Sequence, residues 1–198
     1  MLRSRFAVLL VFFFLARAGF AQQNEVAVSF GGTFTAGAEG LPICEAILNC
    51  PTVIVSRSLT SAFSIEGAYA HRLANFRLAS LHVELPVMFS TDRNAGLLSP
   101  NFSTLFFTPS LKLKLLPSSG VSPFVSAGGG FARFNNSPTS DTKGAFTVGG
   151  GLDFKTRLPL LGFRVEARDF ITGSPTFTSL TSNHLNNVFV GGGIVLRF

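Results

Sequence analysis

From about residue 25 onward, apolar side chains alternate with small or polar ones. That period of two belongs to strands with two different faces, because successive side chains of a strand point to opposite sides. Eight such stretches occur, at 25–35, 62–71, 76–89, 104–115, 123–134, 145–156, 162–170 and 188–198. In the first, Val26, Val28, Phe30, Gly32 and Phe34 share a face; in the second, Phe63, Ile65 and Tyr69 oppose Ser64 and Glu66. In the third, Leu81, Val83, Leu85 and Val87 alternate with His82 and Glu84, while Phe76 and Leu78 are out of phase, which predicts a bulge or a later start. The fourth sets Leu105, Phe107, Leu111, Leu113 and Leu115 against Thr104, Thr108, Ser110, Lys112 and Lys114. Strands five, six and eight each carry a glycine triplet followed by an apolar residue, and strand seven alternates Phe163, Val165 and Ala167 with Arg164, Glu166 and Arg168.

The connections alternate in length. Short segments lie at 72–75, 117–120 and 157–161, and longer ones, rich in Ser, Thr, Asn, Gly and Pro, at 36–61, 90–103, 135–144 and 172–187. An up-and-down meander with every long loop at one end produces that order. The fold class expected is therefore all-β, an eight-stranded antiparallel up-and-down transmembrane β-barrel. The glycine triplets do not make a phosphate loop, since the G-x-x-x-x-G-K-[ST] spacing is missing; glycine inside a strand marks a bend or a close approach.

Composition decides which face meets lipid. The chain has 198 residues, of which 46% are hydrophobic and only 13% charged, with 23 Phe, one Tyr and no Trp. A soluble exterior on eight strands needs far more charge than that. The bulky apolar stripe is therefore expected outside. The sparse strand charges are expected inside: Glu66, Glu84, Lys112, Lys114, Asp153, Lys155, Arg164, Glu166, Arg168 and Arg197, with His82 beside them. In a narrow lumen such charges must pair, because an unpaired buried charge is expensive.

The first 21 residues, MLRSRFAVLLVFFFLARAGFA, have a basic start, an apolar core and small residues at Gly19 and Ala21, the form of a secretory signal peptide. The mature barrel domain is then 22–198. The leader holds three of the 16 basic residues, so half of the net charge of +6 leaves with it. Neither the remainder nor its spread resembles a nucleic-acid footprint. Cys44 and Cys50 are the two cysteines; in an exported chain they are expected to form a disulfide. No cofactor is expected, and His71 with His82 lacks a third ligand for a metal.

With these features in place, the mature chain resembles the small eight-stranded outer-membrane proteins of the OmpA and OmpX type, a porin-like architecture. Such chains end in an alternating strand closed by Phe, and here Gly193, Leu196 and Phe198 fit, with Gly191 in the slot usually held by a polar residue. The run Arg164, Glu166, Arg168, Asp169 looks like strand seven of uncharacterised outer-membrane barrel proteins. The resemblance implies Sec-type export to the outer membrane of a Gram-negative cell. It also implies recognition of the final strand by the barrel-assembly machinery, and outer-membrane lipid as the surrounding partner.

The function expected is a structural or surface-interaction barrel, monomeric, not an enzyme, with side chains filling the lumen and outer loops whose ligand the sequence does not identify. One alternative is a narrow channel or binder for small apolar molecules, using the inward glycines at Gly128, Gly130, Gly149, Gly151, Gly191 and Gly193. Another is a soluble secreted lipocalin-like barrel. Lipid A deacylation by an H-x-S-N motif is a poor fit: His184 and Asn187 match, but Asn186 stands where the nucleophilic hydroxyl belongs.

Overall fold

Glu25 near the start of the first strand lies beside Arg197 near the end of the last, and that pairing closes a ring of eight antiparallel strands. The computed structural model describes residues 23–38, 57–93, 102–136, 139–158, 160–174 and 184–198. The strands are β1 (Asn24–Ala38), β2 (Arg57–Asn75), β3 (Ala79–Arg93), β4 (in two segments, Phe102–Phe107 and Ser110–Leu115), β5 (Val121–Asn136), β6 (Thr139–Lys155), β7 (Leu161–Gly173) and β8 (His184–Arg197). Each pairs with its sequence neighbours, and β8 pairs with β1 from Glu25↔Arg197 to Ala36↔Asn186.

β4 is one strand with a local gap. Its register against β3 is the same on both sides, Glu84↔Ser110 and Val87↔Phe107. Pro109 has no N–H to give to the ladder, which interrupts the hydrogen-bond pattern without shifting it. The Pro109 carbonyl still accepts from Gly129 N at 3.1 Å.

Three sequence expectations are corrected. The third strand starts at Ala79, not at 76, and the out-of-phase Phe76 and Leu78 stand exposed in the turn before it. The segment 135–144 is not a long loop: the β5–β6 ladder continues to Asn136↔Thr139, so the hairpin runs on as two paired strands. Its polar alternation, Ser140 and Thr142 against Asp141 and Lys143, concealed a strand that lacks an apolar face. Finally, β2 at 19 residues and β6 at 17 exceed the roughly 9–11 residues a tilted strand needs to cross a bilayer, so the sheet extends past an apolar band of that height.

The outer surface is greasy all the way round. Phe30, Phe63, Val87, Leu111, Val125, Phe146, Val165 and Ile194, one from each strand, are all at least two-fifths exposed. Every buried charge among the described residues faces the axis. This polarity is the inverse of a soluble barrel.

Candidate functional site

Among the described residues the interior is where chemistry is concentrated, and it is stratified. Near the short turns, five carboxylates (Glu25, Glu66, Glu84, Asp153, Glu166) and five cations (Lys112, Lys114, Arg164, Arg168, Arg197) are buried among the described residues. They form one continuous set of ion pairs. Glu84 is a hub on β3, taking Lys112 at 3.2 Å, Arg164 at 3.3 Å and Arg168 at 2.7 Å. Arg168 also reaches Glu166 at 3.1 Å and Glu66 at 3.2 Å. Asp153 accepts Arg164 at 2.8 Å and Lys114 at 2.7 Å. Glu25 closes the set, bound by Lys114, by Arg197 at 3.3 Å, and by Lys112 and Arg164 at 3.7 Å.

β5 supplies no charge to this layer; it supplies Phe124. Its ring lies 4.3 Å from Lys112 Nζ and 4.8 Å from the Arg164 guanidinium carbon, a double cation–π contact in a desolvated setting. Each of the eight strands therefore places a side chain in the ionic layer. Ser29 adds a short hydrogen bond, its hydroxyl donating to Glu166 Oε1 at 2.6 Å.

Above this layer the interior changes character. Met88, Phe102, Phe106, Ala132, Phe134, Ala145, Phe170 and Phe189 form a buried apolar cluster toward the long-loop end. Phe106 stacks obliquely on Phe170 at 4.7 Å, and Phe102 meets Phe134 edge-on at 5.9 Å. The sequence reading placed the strand charges in the lumen; it did not foresee this aromatic cluster toward the long-loop end.

The inward glycines serve the packing. A Cβ at Gly149 would meet Arg168 Cγ at 2.7 Å, and one at Gly151 would meet Phe124 Cζ at 2.9 Å. The volume that these glycines leave is already occupied by the two side chains that organise the ionic layer.

Of the ten residues expected as lumen charges, nine meet in this network. Lys155 does not: it is exposed at the short-turn rim, where its ammonium donates to the Pro117 carbonyl. Glu25 was missed by the sequence reading, although its phase is inward, two residues before the buried Ala27 and four before Ser29. Of the expected assembly-signal residues, Gly193 faces Ser29 across the β1–β8 seam, and Leu196 and Phe198 point outward. The Phe198 N–H donates to the Asn24 carbonyl at 3.0 Å. Asn187 is buried and structural, accepting from Thr35 Oγ1 at 2.9 Å and donating to the Phe170 carbonyl at 3.3 Å. His71 bonds Asn24 and His82 bonds Ser80, so the two histidines serve different partners. Cys44, Cys50 and the 1–21 segment lie outside the described residues.

No protein-family model matches the chain, and no curated protein matches it in sequence. Solved structures do match. The neisserial surface protein A is similar over 88% of this chain and 97% of its own, at 13% identity and a TM-score of 0.57. The outer-membrane protein OprG of Pseudomonas aeruginosa is similar over 89% and 97%, at 11% identity and a TM-score of 0.51. With a closed eight-strand ring, an inverted polarity and these two likenesses, the chain has the fold of the small eight-stranded outer-membrane barrels.

Proposed function

We propose that this chain is an exported integral outer-membrane protein, monomeric in the bilayer, whose role is structural or one of surface contact. The observation that carries this reading is the two-layer filling of the lumen. A balanced set of five acids and five bases, capped by a cluster of buried aromatic rings, lies across the bore. An eight-stranded barrel encloses just enough room for such a filling.

In this proposal 1–21 is the export signal and 22–198 the mature barrel. A Cys44–Cys50 disulfide stiffens the first outer loop, and the assembly machinery reads Gly193, Leu196 and Phe198. The outer loops and the projecting β5–β6 hairpin are the contact surface. The test is planar-bilayer recording on the refolded barrel: no reproducible unitary conductance is expected, and a robust one overturns the reading. A detergent-free, water-soluble monomer overturns the membrane assignment.

The apolar outer layer favours a second reading, a binder of small apolar molecules entering from the loop side. Saturable quenching of a bound apolar fluorophore, lost on overfilling the layer with Ala132→Phe, is its test.

A further inference from the structure

At the short-turn end of the barrel, below the ionic layer, the structure holds a cavity of about 60 Å³. Its wall includes Arg72, Lys114, Lys155, Arg197, His82 and Glu25. We infer that this cavity is a binding site for a single phosphate-type oxyanion, presented from the periplasmic side.

Charge accounts for the sign of the ligand. Glu25 is the one carboxylate in the wall, and it is already engaged by Lys112, Lys114, Arg164 and Arg197. Lys114 and Arg197 are further held by Asp153, at 2.7 and 3.7 Å. The ten charges of the interior balance without Arg72 and Lys155. Those two cations are therefore an excess placed at the mouth of a closed, neutral plug. Neither has a carboxylate within ion-pair distance among the described residues, and the Lys155 ammonium rests on the Pro117 carbonyl.

His82 is almost fully buried and lines the cavity, its Nε2 lying 2.9 Å from Ser80 Oγ, so its ring reports on what enters. The volume admits one tetrahedral headgroup. Arg72 offers the fork geometry that phosphate oxygens accept in pairs.

The same group could come from free inorganic phosphate or from the headgroup of an inner-leaflet phospholipid, and the experiment separates them. The full barrel, labelled at histidine, is refolded in a phosphate-free maltoside detergent and titrated with inorganic phosphate at constant ionic strength. It is also placed in nanodiscs with and without phosphatidic acid. The His82 ring resonances are expected to shift saturably in at least one arm, while those of His71 and His184 stay put. The arm that responds names the source. The Arg72→Gln/Lys155→Gln double variant, which breaks no ion pair of the plug, is expected to bind about tenfold more weakly or worse. Lys155→Gln alone serves if the double variant fails to fold, and Arg133→Gln at the opposite rim should bind as the parent does. No His82 response in either arm overturns the inference, as does undiminished binding by the Arg72/Lys155 variants.

Discussion

Arg164 forks across Asp153 on the adjacent strand, its Nε donating to Oδ1 at 2.8 Å and its Nη2 to Oδ2 at 3.2 Å. The two residues are direct register partners of β7 and β6, so the sheet itself aligns the bidentate pair. The value of such a pair lies in what remains when half of it goes. Arg164→Leu takes from Asp153 its bidentate partner, leaving it Lys114 and Arg197, and takes a cation from Glu84, and a loss of about 3–5 kcal/mol is expected from removing one partner of a buried pair. Adding Asp153→Leu should recover part of that loss. Urea unfolding in lipid vesicles, run as a double-mutant cycle, measures both.

Glu25 joins the first strand to the last through Arg197 and to the fourth through Lys114. Glu25→Gln keeps the shape and removes the charge that holds this seam. The folded band on an unboiled gel is expected to disappear at a lower heating temperature than for the parent, and Glu66→Gln, which meets Arg168 alone among the cations, should shift it less.

The greasy exterior gives a depth test. Val165 is an outward residue within β7, and Val165→Arg should cost about 2–4 kcal/mol if it meets the hydrocarbon midplane. Leu158→Arg, in the turn between β6 and β7, should cost close to nothing. Equal effects in vesicle unfolding would remove lipid from the outer face.

Two glycines of opposite phase separate packing from propensity. Gly149→Ala drives a methyl against Arg168 Cγ and the Ala167 carbonyl, both at 2.7 Å, and overpacking of this kind costs about 1–3 kcal/mol. Gly67 has nothing within 4 Å of the added carbon, so Gly67→Ala is expected to be neutral or to stabilise by about 0.5 kcal/mol.

The aromatic cap is tested by Phe106→Ala. Phe106 is fully buried against Phe170, and its removal should cost about 3–5 kcal/mol. The ionic layer is untouched by this change, so the variant should remain non-conducting in planar bilayers.

The sequence alone determined the number of strands, their order, and which of each strand's two faces meets lipid. It could do so because a strand's side chains alternate with a period of two, so parity along the chain is parity between inside and outside. Phe30, Phe63 and Val165 were legible as exterior, and Glu84, Asp153 and Arg164 as interior, from that rule alone. Parity carries no height, however. Whether an inward residue sits in the ionic layer, in the aromatic cap or at the rim depends on the stagger between neighbouring strands and the closure of β8 on β1. That is why Lys155, inward in phase, lands on the rim, and why Phe106, Phe170 and Phe189, far apart in the chain, come to lie in one apolar cluster. It is also why Glu25 emerged as a hub only once Arg197, 172 positions away, was beside it.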